Sequence, residues 1–255
     1  MAAGNSHTVA LKRPGTLWAW GDNSWGKLGD GTTTDKNSPV QVGDANDWVT
    51  VAVGDDHTVS TKRDGTLWAW GGNFYGQLGD SSVTFSTTKA LQIGSANDWV
   101  GVAAGDDHTV ALRQDRTLWA WGRNSDGQLG DGTTKDKKSP VRVSDASDWI
   151  AVAARGSRTM ALKQDSTLWG WGDNSFGQLG DGTTTSRNSP TRVGSANDWA
   201  AVAVGQDHTV ALKKDGTIWA WGSTLFGKLG DALVSPNIPS RVGSASDWAA
   251  VATGE

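Results

Sequence analysis

Residues 108–131 read HTVALRQDRTLWAWGRNSDGQLGD, and this stretch recurs five times along the chain with small changes. Equivalent tryptophans are separated by 49 to 51 residues, as the columns at the end of this paragraph show. Short strand-like runs joined by Gly-rich turns at such a period predict the blades of a β-propeller or the turns of a β-solenoid. The columns are Trp18, Trp68, Trp119, Trp169 and Trp219; Trp20, Trp70, Trp121, Trp171 and Trp221; and Trp48, Trp99, Trp149, Trp199 and Trp248.

Each copy contains four strand-like runs. In the quoted copy they are WVGVAAG (99–105), HTVALR (108–113), TLWAW (117–121) and PVRV (140–143). The second and third runs are joined by a short polar turn, which reads Lys-Asp-Gly at 214–216, a hairpin signal. We therefore expect one four-stranded antiparallel sheet per copy, with the Pro-containing run at its outer edge.

The middle runs are apolar on both faces, because Leu118, Trp119, Ala120 and Trp121 follow one another without polar alternation. Burial on both faces is what stacked blades require, whereas a sheet with one wet face would alternate. The fifteen tryptophans of the three columns are therefore expected to be core.

The chain begins in the middle of a copy and ends with DWAAVATGE (247–255), the inner run that the first copy largely lacks. We expect a closed all-β propeller of five four-stranded blades, with the first blade completed by this C-terminal strand. A solenoid would need polar caps, which are absent. The single domain covers 1–255, with repeats at about 1–46, 47–97, 98–147, 148–197 and 198–246 and the closing strand at 247–255.

Composition excludes several classes of protein. The formal net charge of −4 comes from 23 basic and 27 acidic residues spread along the chain, which argues against a nucleic-acid groove. No apolar run is long enough for a membrane helix, and the first residues do not resemble a signal peptide. Cysteine is absent, so disulfides and cysteine catalysis are excluded, while the compartment stays open.

The motif GxxHTVALKxDGTLWAWGxNxxGQLGDGT, flanked by PxxV and W-VAxG, resembles the repeat of the regulator of chromosome condensation family. The TLWAWG and LGDGTT segments resemble the bacterial repeats of that family. The resemblance covers the whole chain and implies a propeller scaffold. Characterised members are usually seven-bladed, and five copies depart from that. One branch of the family exchanges nucleotide on a nuclear small GTPase, and another inhibits β-lactamases through aromatic loops. The photoreceptor branch carries GWRHT where this chain has GDDHT at 54–58 and 105–109, so photoreception is not expected.

The polar columns are interpreted as structural. His7, His57, His108 and His208 occupy equivalent positions on successive blades, too far apart to share one metal ion. The Asp-His pairs do not predict a catalytic triad, because no serine stands at a nucleophile turn. The aspartates after LG, from Asp30 to Asp231, do not predict a calcium site, because they lack the EF-hand spacing. We therefore expect no catalytic residue, no metal and no cofactor.

Candidate binding residues are those that differ between copies. The position before GQLG carries large aromatic side chains in four copies, and the fourth copy replaces a glycine and a histidine by arginines that could anchor an acidic partner. Phe85 and Ile238 stand in otherwise polar loops, where each could seal a junction or contact a partner. The candidates are Trp25, Phe74, Tyr75, Phe176, Phe226, Arg155 and Arg158.

The pattern predicts a non-enzymatic, monomeric propeller that binds a protein through loops on one face. Two alternatives stay open. A repeat lectin would stack one aromatic of each blade on sugars, which Asp126 in the aromatic column weakens. A GTPase partner, as for the exchange-factor branch, is the other alternative.

Overall fold

The computed structural model describes residues 1–230 and 236–254 and contains five four-stranded antiparallel sheets. In each sheet, sequential strands are hydrogen-bonded neighbours. A single turn of 3₁₀ helix follows the third strand in the first blade, at Ser24–Gly26, and in the fifth, at Leu225–Gly227. The strands are β1 (Ala2–Ala3), β2 (His7–Lys12), β3 (Thr16–Gly21), β4 (Lys36–Gln41), β5 (Trp48–Val53), β6 (His57–Lys62), β7 (Leu67–Gly72), β8 (Ser86–Gln92), β9 (Trp99–Ala104), β10 (His108–Arg113), β11 (Leu118–Gly122), β12 (Lys137–Arg142), β13 (Trp149–Arg155), β14 (Arg158–Lys163), β15 (Leu168–Gly172), β16 (Arg187–Arg192), β17 (Trp199–Val204), β18 (His208–Lys213), β19 (Ile218–Gly222) and β20 (Ser240–Arg241).

The sheets are the blades of an all-β propeller, as the sequence predicts. Their innermost strands line a central cavity of about 520 Å³, and its walls are mostly alanine and valine from all five blades. Small side chains are needed there because the inner strands converge on one axis. The predicted pairing of the middle strands is confirmed, with Val110 opposite Ala120 and Thr109 opposite Trp121.

The hydrophobic core consists of layers between neighbouring blades. One cluster, for example, joins Val110, Leu118 and Leu129 of the third blade to Trp149 and Trp171 of the fourth. Equivalent clusters join the first to the second, the second to the third and the fourth to the fifth blade. The prediction that the fifteen tryptophans are core holds for eight of them: Trp70, Trp121, Trp171 and Trp221 are fully buried, and Trp48, Trp99, Trp149 and Trp199 are at most 4% exposed. Trp20 and all five members of the first column, Trp18, Trp68, Trp119, Trp169 and Trp219, are only partly buried.

A repeated chain of hydrogen bonds accompanies these layers. His7 Nε2 bonds Thr58 Oγ1 of the next blade at 3.1 Å, and that hydroxyl donates to Lys27 O at 2.8 Å. Because the threonine proton is used on the carbonyl, the imidazole must be the donor, in its Nε2–H form. The same arrangement recurs at His57 and His108.

The prediction that the C-terminal strand completes the first blade is wrong. The innermost strand of that blade is β1, in which Ala2 pairs with Val9 and Ala3 with Thr8. Residues 245–254 form no strand, and Trp248 is 50% exposed, whereas its four equivalents are at most 4% exposed. Trp248 therefore lacks the neighbouring-blade contacts that bury the other four.

Candidate functional site

All the aromatic candidates lie at one end of the propeller. In an antiparallel blade, the turn from the first to the second strand and the loop from the third to the fourth lie at the same end of the sheet. We call this end the loop face. It carries the Gly-Asp-Asp-His turns and the long loops that begin, in the first blade, at Asp22. Contacts between the two confirm the placement, since Asp22 N donates to Ser6 O at 2.9 Å.

A buried asparagine organises most of these long loops. Asn23 Nδ2 donates to Asp30 Oδ1, to Thr32 and to Thr34 O at 3.1 to 3.2 Å, and its Oδ1 accepts from Leu28 N at 3.0 Å. Asn124 and Asn174 repeat these contacts, and Asn73 makes a reduced set to the altered loop of the second blade. The loops are therefore held from beneath by buried polar side chains, which limits their freedom.

The backbone at the aromatic column varies with the residue two positions after it. In the second, third and fourth blades a glutamine stands there, and its Oε1 accepts from the backbone N–H at the aromatic column: Tyr75, Asp126 and Phe176. In the first and fifth blades this residue is lysine, which cannot accept a hydrogen bond. There the aromatic takes a left-handed conformation, with φ +65° at Trp25 and +60° at Phe226, a strained region for a bulky residue.

Lys27, the lysine of the first blade, is an ion-pairing residue beneath the loop face. Its side chain is 2% exposed, and Nζ lies 2.5 Å from Asp22 Oδ2 and 2.7 Å from Asp56 Oδ1. Burial alone would lower the pKa of Lys27, but the two carboxylates raise it above its ordinary value. Burial would raise the pKa of Asp22, but the hydrogen bond from Lys27 holds it below its usual range. Lys27 thus stays charged and joins the first blade to the second.

Three exposed aromatic side chains meet above this ion pair. The ring centroids of Trp25 and Phe74 lie 4.7 Å apart at an interplanar angle of 87°, and Phe85 lies 6.4 Å from Phe74. Their exposed fractions are 45%, 42% and 64%. We call Trp25, Phe74 and Phe85 the aromatic patch. It spans the first and second blades and is the contiguous apolar surface typical of an interface anchor.

The other aromatic candidates are not part of this patch. Tyr75 is half-buried and lies under the guanidinium of Arg123, 5.2 Å from its ring centroid. Phe176 is 50% exposed and Phe226 94% exposed, on the fourth and fifth blades. Of the predicted residues, the structure therefore brings together only Trp25 and Phe74. It adds Phe85, whose sequence signal is a single large apolar residue in the polar loop 81–90.

The two arginines of the fourth copy have different environments. Arg158 is 1% exposed, and its guanidinium donates to the carbonyls of Gly205, Gln206 and His208 in the fifth blade at 2.6 to 2.7 Å. Burial lowers its pKa to about 10, so it stays charged. Arg155 lies at the mouth of the central cavity and bonds Asn5 across it.

The paired replacement has a steric reason. In the other copies a glycine precedes the histidine by three residues, and a Cβ on Gly105 would lie 2.1 Å from His108 Cε1. Once Arg158 replaces the histidine and extends into the next blade, position 155 can carry a side chain. Arg158 is enclosed between two blades and is not part of the exposed surface of the loop face.

The histidines have the surroundings of structural residues. Burial lowers the pKa of His57 and His108 to about 3 and that of His7 to about 4, so they are neutral near pH 7. Within residues 1–230 and 236–254, no group of three or more His, Cys, Asp or Glu side chains could hold a metal ion. In the same part of the chain no helix has the length and apolar character to cross a membrane.

The aspartates after LG hold their own turns. Asp30 Oδ1 accepts from Thr32 N at 2.9 Å and from its hydroxyl at 2.8 Å, and Asp131 and Asp181 do the same with Thr133 and Thr183. This is the local bonding expected of aspartate in a turn. Asp231, the fifth member of the column, lies outside the described residues.

Comparison with known proteins identifies the family of this arrangement. A family model described as the RCC1-like domain matches residues 1–255. Among solved structures, human WBSCR16 superposes with a TM-score of 0.86 at 22% identity, over 98% of this chain and 68% of that one. Yeast RCC1 (Prp20), in its complex with Kap60, gives 0.84 at 22% identity, over 99% and 65%. At these identities the likeness establishes the fold.

Sequence relatives match over about half of the chain. The ultraviolet-B receptor UVR8 of Arabidopsis thaliana is 36% identical over 147 residues, 56% of this chain and 33% of the receptor. Ras guanine nucleotide exchange factor C of Dictyostelium discoideum is 41% identical over 143 residues, 56% of this chain and 8% of that protein. The human E3 ubiquitin-protein ligase HERC2 is 29% identical over 144 residues, 55% of this chain and 3% of the ligase. The aligned segments thus make up a third or less of these relatives.

Proposed function

Because the chain belongs to the family of RCC1-like domains, we propose that it is a non-enzymatic binding domain that contacts a protein through its loop face. The aromatic patch of Trp25, Phe74 and Phe85 is the anchor of that contact. Arg155, Phe176 and Phe226 are candidate contacts on the same face, and Tyr75 supports it from a half-buried position.

The observation that carries the proposal is the contiguity and support of the patch. Trp25 and Phe74 touch edge to face across two blades while each remains more than two-fifths exposed. Beneath them, Asn23 and Lys27 fix the loop with hydrogen bonds and ion pairs. A preorganised aromatic anchor loses little conformational entropy on binding, which favours affinity.

Related proteins support a protein partner without specifying it. A propeller of the same fold, yeast RCC1, is seen bound to Kap60. A sequence relative is a Ras guanine nucleotide exchange factor, and others are ubiquitin ligases. Because the aligned segments are small parts of those relatives, we propose only the shared feature, which is binding of a protein through a propeller face.

The proposal can be tested by site-specific photocrosslinking. A benzophenone amino acid at position 85 is expected to crosslink a protein from the native source, whereas the same group at position 150, at the opposite end of the propeller, is not. The identified protein, once purified, should bind the unmodified chain directly. Phe74→Ala should weaken that binding by about tenfold or more, since a central aromatic anchor contributes about 2 kcal/mol. Ile150→Ala, at a similarly exposed apolar residue outside the loop face, should change it by less than about twofold.

Glycan binding is the competing function, and the patch geometry disfavours it. The rings of Trp25 and Phe74 meet at 87°, so they offer no shared flat platform on which a sugar could stack. A glycan array that gives hits lost in the Phe74→Ala variant would overturn the proposal. Accelerated nucleotide release from a small GTPase would instead identify the partner as a GTPase.

A further inference from the structure

The junction between the second and third blades contains an arginine that contacts both an aromatic ring and a carboxylate. Arg123 of the third blade lies over Tyr75 of the second, with 5.2 Å between its guanidinium carbon and the ring centroid. Its Nη1 lies 3.4 Å from Asp107 Oδ2. Tyr75 is the aromatic-column residue of its blade. The chain itself therefore shows which group complements a ring of this column and the aspartate beside it.

The junction between the first and second blades has an equivalent ring and carboxylate but lacks the arginine. Trp25 is the aromatic-column residue there, and Asp56 corresponds to Asp107. Gly72 stands where the third blade has Arg123. The two backbones are equivalent, because the N–H of each residue donates to the carbonyl of the aspartate in its own blade, at 2.7 Å for Gly72 and 2.9 Å for Arg123. Since glycine has no side chain, the second blade supplies no cation at this position.

The aromatic patch at this junction stays open and adjoins Asp56. Phe74 contacts Trp25, yet both rings are more than two-fifths exposed. A Cβ on Gly72 would lie 3.2 Å from Asp56 Cβ and 3.5 Å from Phe74 Cε2, so the carboxylate and the patch border the same position. Within residues 1–230 and 236–254, lysine and arginine side chains lie over many other aromatic rings but over none of the three rings of the patch.

The charges at this junction are unbalanced. Asp22 and Asp56 both pair with Lys27, so one cation serves two carboxylates. The Lys27 side chain is 2% exposed, whereas those of Asp22 and Asp56 are 30% and 34% exposed, so the negative groups are the ones that reach the surface. A cation beside the aromatic patch would balance the second carboxylate, as an interface with complementary charge requires.

We propose that the protein partner places an arginine side chain against the aromatic patch and Asp56. This inference rests on the proposed function of the loop face and specifies the chemistry of the partner. The guanidinium lies on the exposed ring surface and donates to the carboxylate, as Arg123 does with Tyr75 and Asp107. Arginine fits better than lysine, because a planar guanidinium can stack on a ring while its N–H groups bond a carboxylate. The partner surface is therefore basic and apolar at the point of contact.

The first experiment selects peptides on the chain itself. A phage-displayed library of random short peptides is selected on the intact chain and counter-selected on the Phe74→Ala variant, so that the retained peptides bind at the aromatic patch. Arginine next to a large apolar residue should be enriched by about threefold or more over the unselected library. Aspartate and glutamate should be depleted, because they would meet the exposed carboxylates of the junction.

The affinity of a selected arginine peptide for variants of the chain then tests the two contacts. Asp56→Asn should weaken binding by about threefold, because it removes a partly exposed ion pair. Glutamine in place of the peptide arginine should weaken it by about tenfold, since the ring contact is lost as well. Asp107→Asn, the matched change at the junction that already holds Arg123, should change the affinity by less than about twofold.

A further variant supplies the arginine within the chain. Gly72→Arg should abolish binding of the peptide, while the circular dichroism spectrum stays that of the parent. The added Cβ lies 3.2 Å from Asp56 Cβ, which a small shift of that side chain accommodates. Should this variant fail to fold, Asp56→Asn and the glutamine peptide still test the proposal.

The outcomes separate this inference from the proposed function. Peptides that depend on Phe74 but show no arginine enrichment, or that bind Asp56→Asn as tightly as the parent, overturn the inference and leave the proposed function standing. A selection that yields no Phe74-dependent peptide also overturns the inference. Photocrosslinking at position 85 then decides the proposed function by itself.

Discussion

The long loops of the first and fourth blades form a natural comparison. Residues 22–34 read DNSWGKLGDGTTT and residues 173–185 read DNSFGQLGDGTTT, so the two loops differ only at Trp25 against Phe176 and at Lys27 against Gln178. In the fourth blade, Gln178 accepts from Phe176 N at 2.7 Å and donates to Asp173 at 2.7 Å. In the first, Lys27 has only protons to donate and gives them to Asp22, Asp56 and the Asp55 carbonyl.

This difference shows how the residue at position 27 or 178 changes the surroundings of the aromatic residue two positions before it, while the asparagine contacts of the loop stay the same. Without an acceptor for its N–H, Trp25 takes a left-handed backbone and its ring meets Phe74 of the next blade. Phe176 keeps its N–H bonded and, though 50% exposed, makes no ring contact within the described residues. The two loops share the contacts of their buried asparagines, Asn23 and Asn174, and differ in the aromatic residue and in the residue two positions after it.

The largest effect on stability is expected from removing the buried asparagine of either loop. Asn23→Ala and Asn174→Ala should each lower the free energy of unfolding by about 3 kcal/mol, because a buried Leu N–H loses its acceptor and several loop groups lose their donor. Denaturant unfolding measures both variants, with Ser24→Ala in the exposed part of the loop as the control. If the loss of unfolding free energy differs widely between the two variants, the two asparagines do not support their loops equally.

His7 in the first blade and Arg158 in the fourth occupy equivalent positions and should affect the pH dependence of stability differently. Burial lowers the pKa of His7 to about 4, while the pKa of a histidine in the unfolded chain keeps its ordinary value of 6.5. Between those values the unfolded chain binds one more proton, so this contribution to stability is complete above pH 6.5 and is lost as the pH falls toward 4.

Each such histidine should therefore cost about 1.4 kcal/mol per pH unit in that window. His7→Gln should reduce the slope of unfolding free energy against pH by this amount. Arg158 stays charged throughout and contributes no slope there. An unchanged slope in His7→Gln would mean that His7 is protonated in the folded state.

The smallest effect on stability is expected from replacing Lys27 by the glutamine that stands at the equivalent position of the fourth blade. Lys27→Gln should give Trp25 N–H its acceptor and return that residue to a right-handed backbone. The free energy of unfolding should fall by about 1 to 2 kcal/mol, because Asp22 and Asp56 lose a cation but remain partly exposed to solvent. The pKa of Asp22 should rise toward its ordinary value, because the ammonium that lowers it is gone. NMR chemical shifts report both changes, and Gln178→Lys is the reciprocal control. Retention of the left-handed backbone in Lys27→Gln would place its cause elsewhere.

Much of the fold could be predicted because it repeats. The five sheets, their antiparallel order and the buried tryptophans follow from apolar runs on both faces of strands that recur at a constant period. The exposed position of Trp25 could be proposed because bulky residues vary in one column, and that of Phe74 because it stands beside that column. Phe85 was visible only as an apolar residue in a polar loop, and nothing in the sequence placed it beside Phe74.

Other features could not be read from the chain. Arg158 looks like a surface charge in sequence, yet its guanidinium lies between blades, because only the three-dimensional structure brings three carbonyls of the fifth blade within its reach. Completion of the first blade by the C-terminal segment was expected from matching motifs. In the structure Ala2–Ala3 already hold that position.

The sequence by itself determined the blade, because strand periodicity, Gly turns and tryptophan columns act within some fifty residues and repeat. The tertiary structure decided which faces of the blades are covered. Burial of Trp70 but not of Trp20 depends on whether another blade lies against it, and identical motifs carry no information about their neighbours. The meeting of Trp25, Phe74 and Phe85 was decided there too, because it depends on how two loops from different blades pack together.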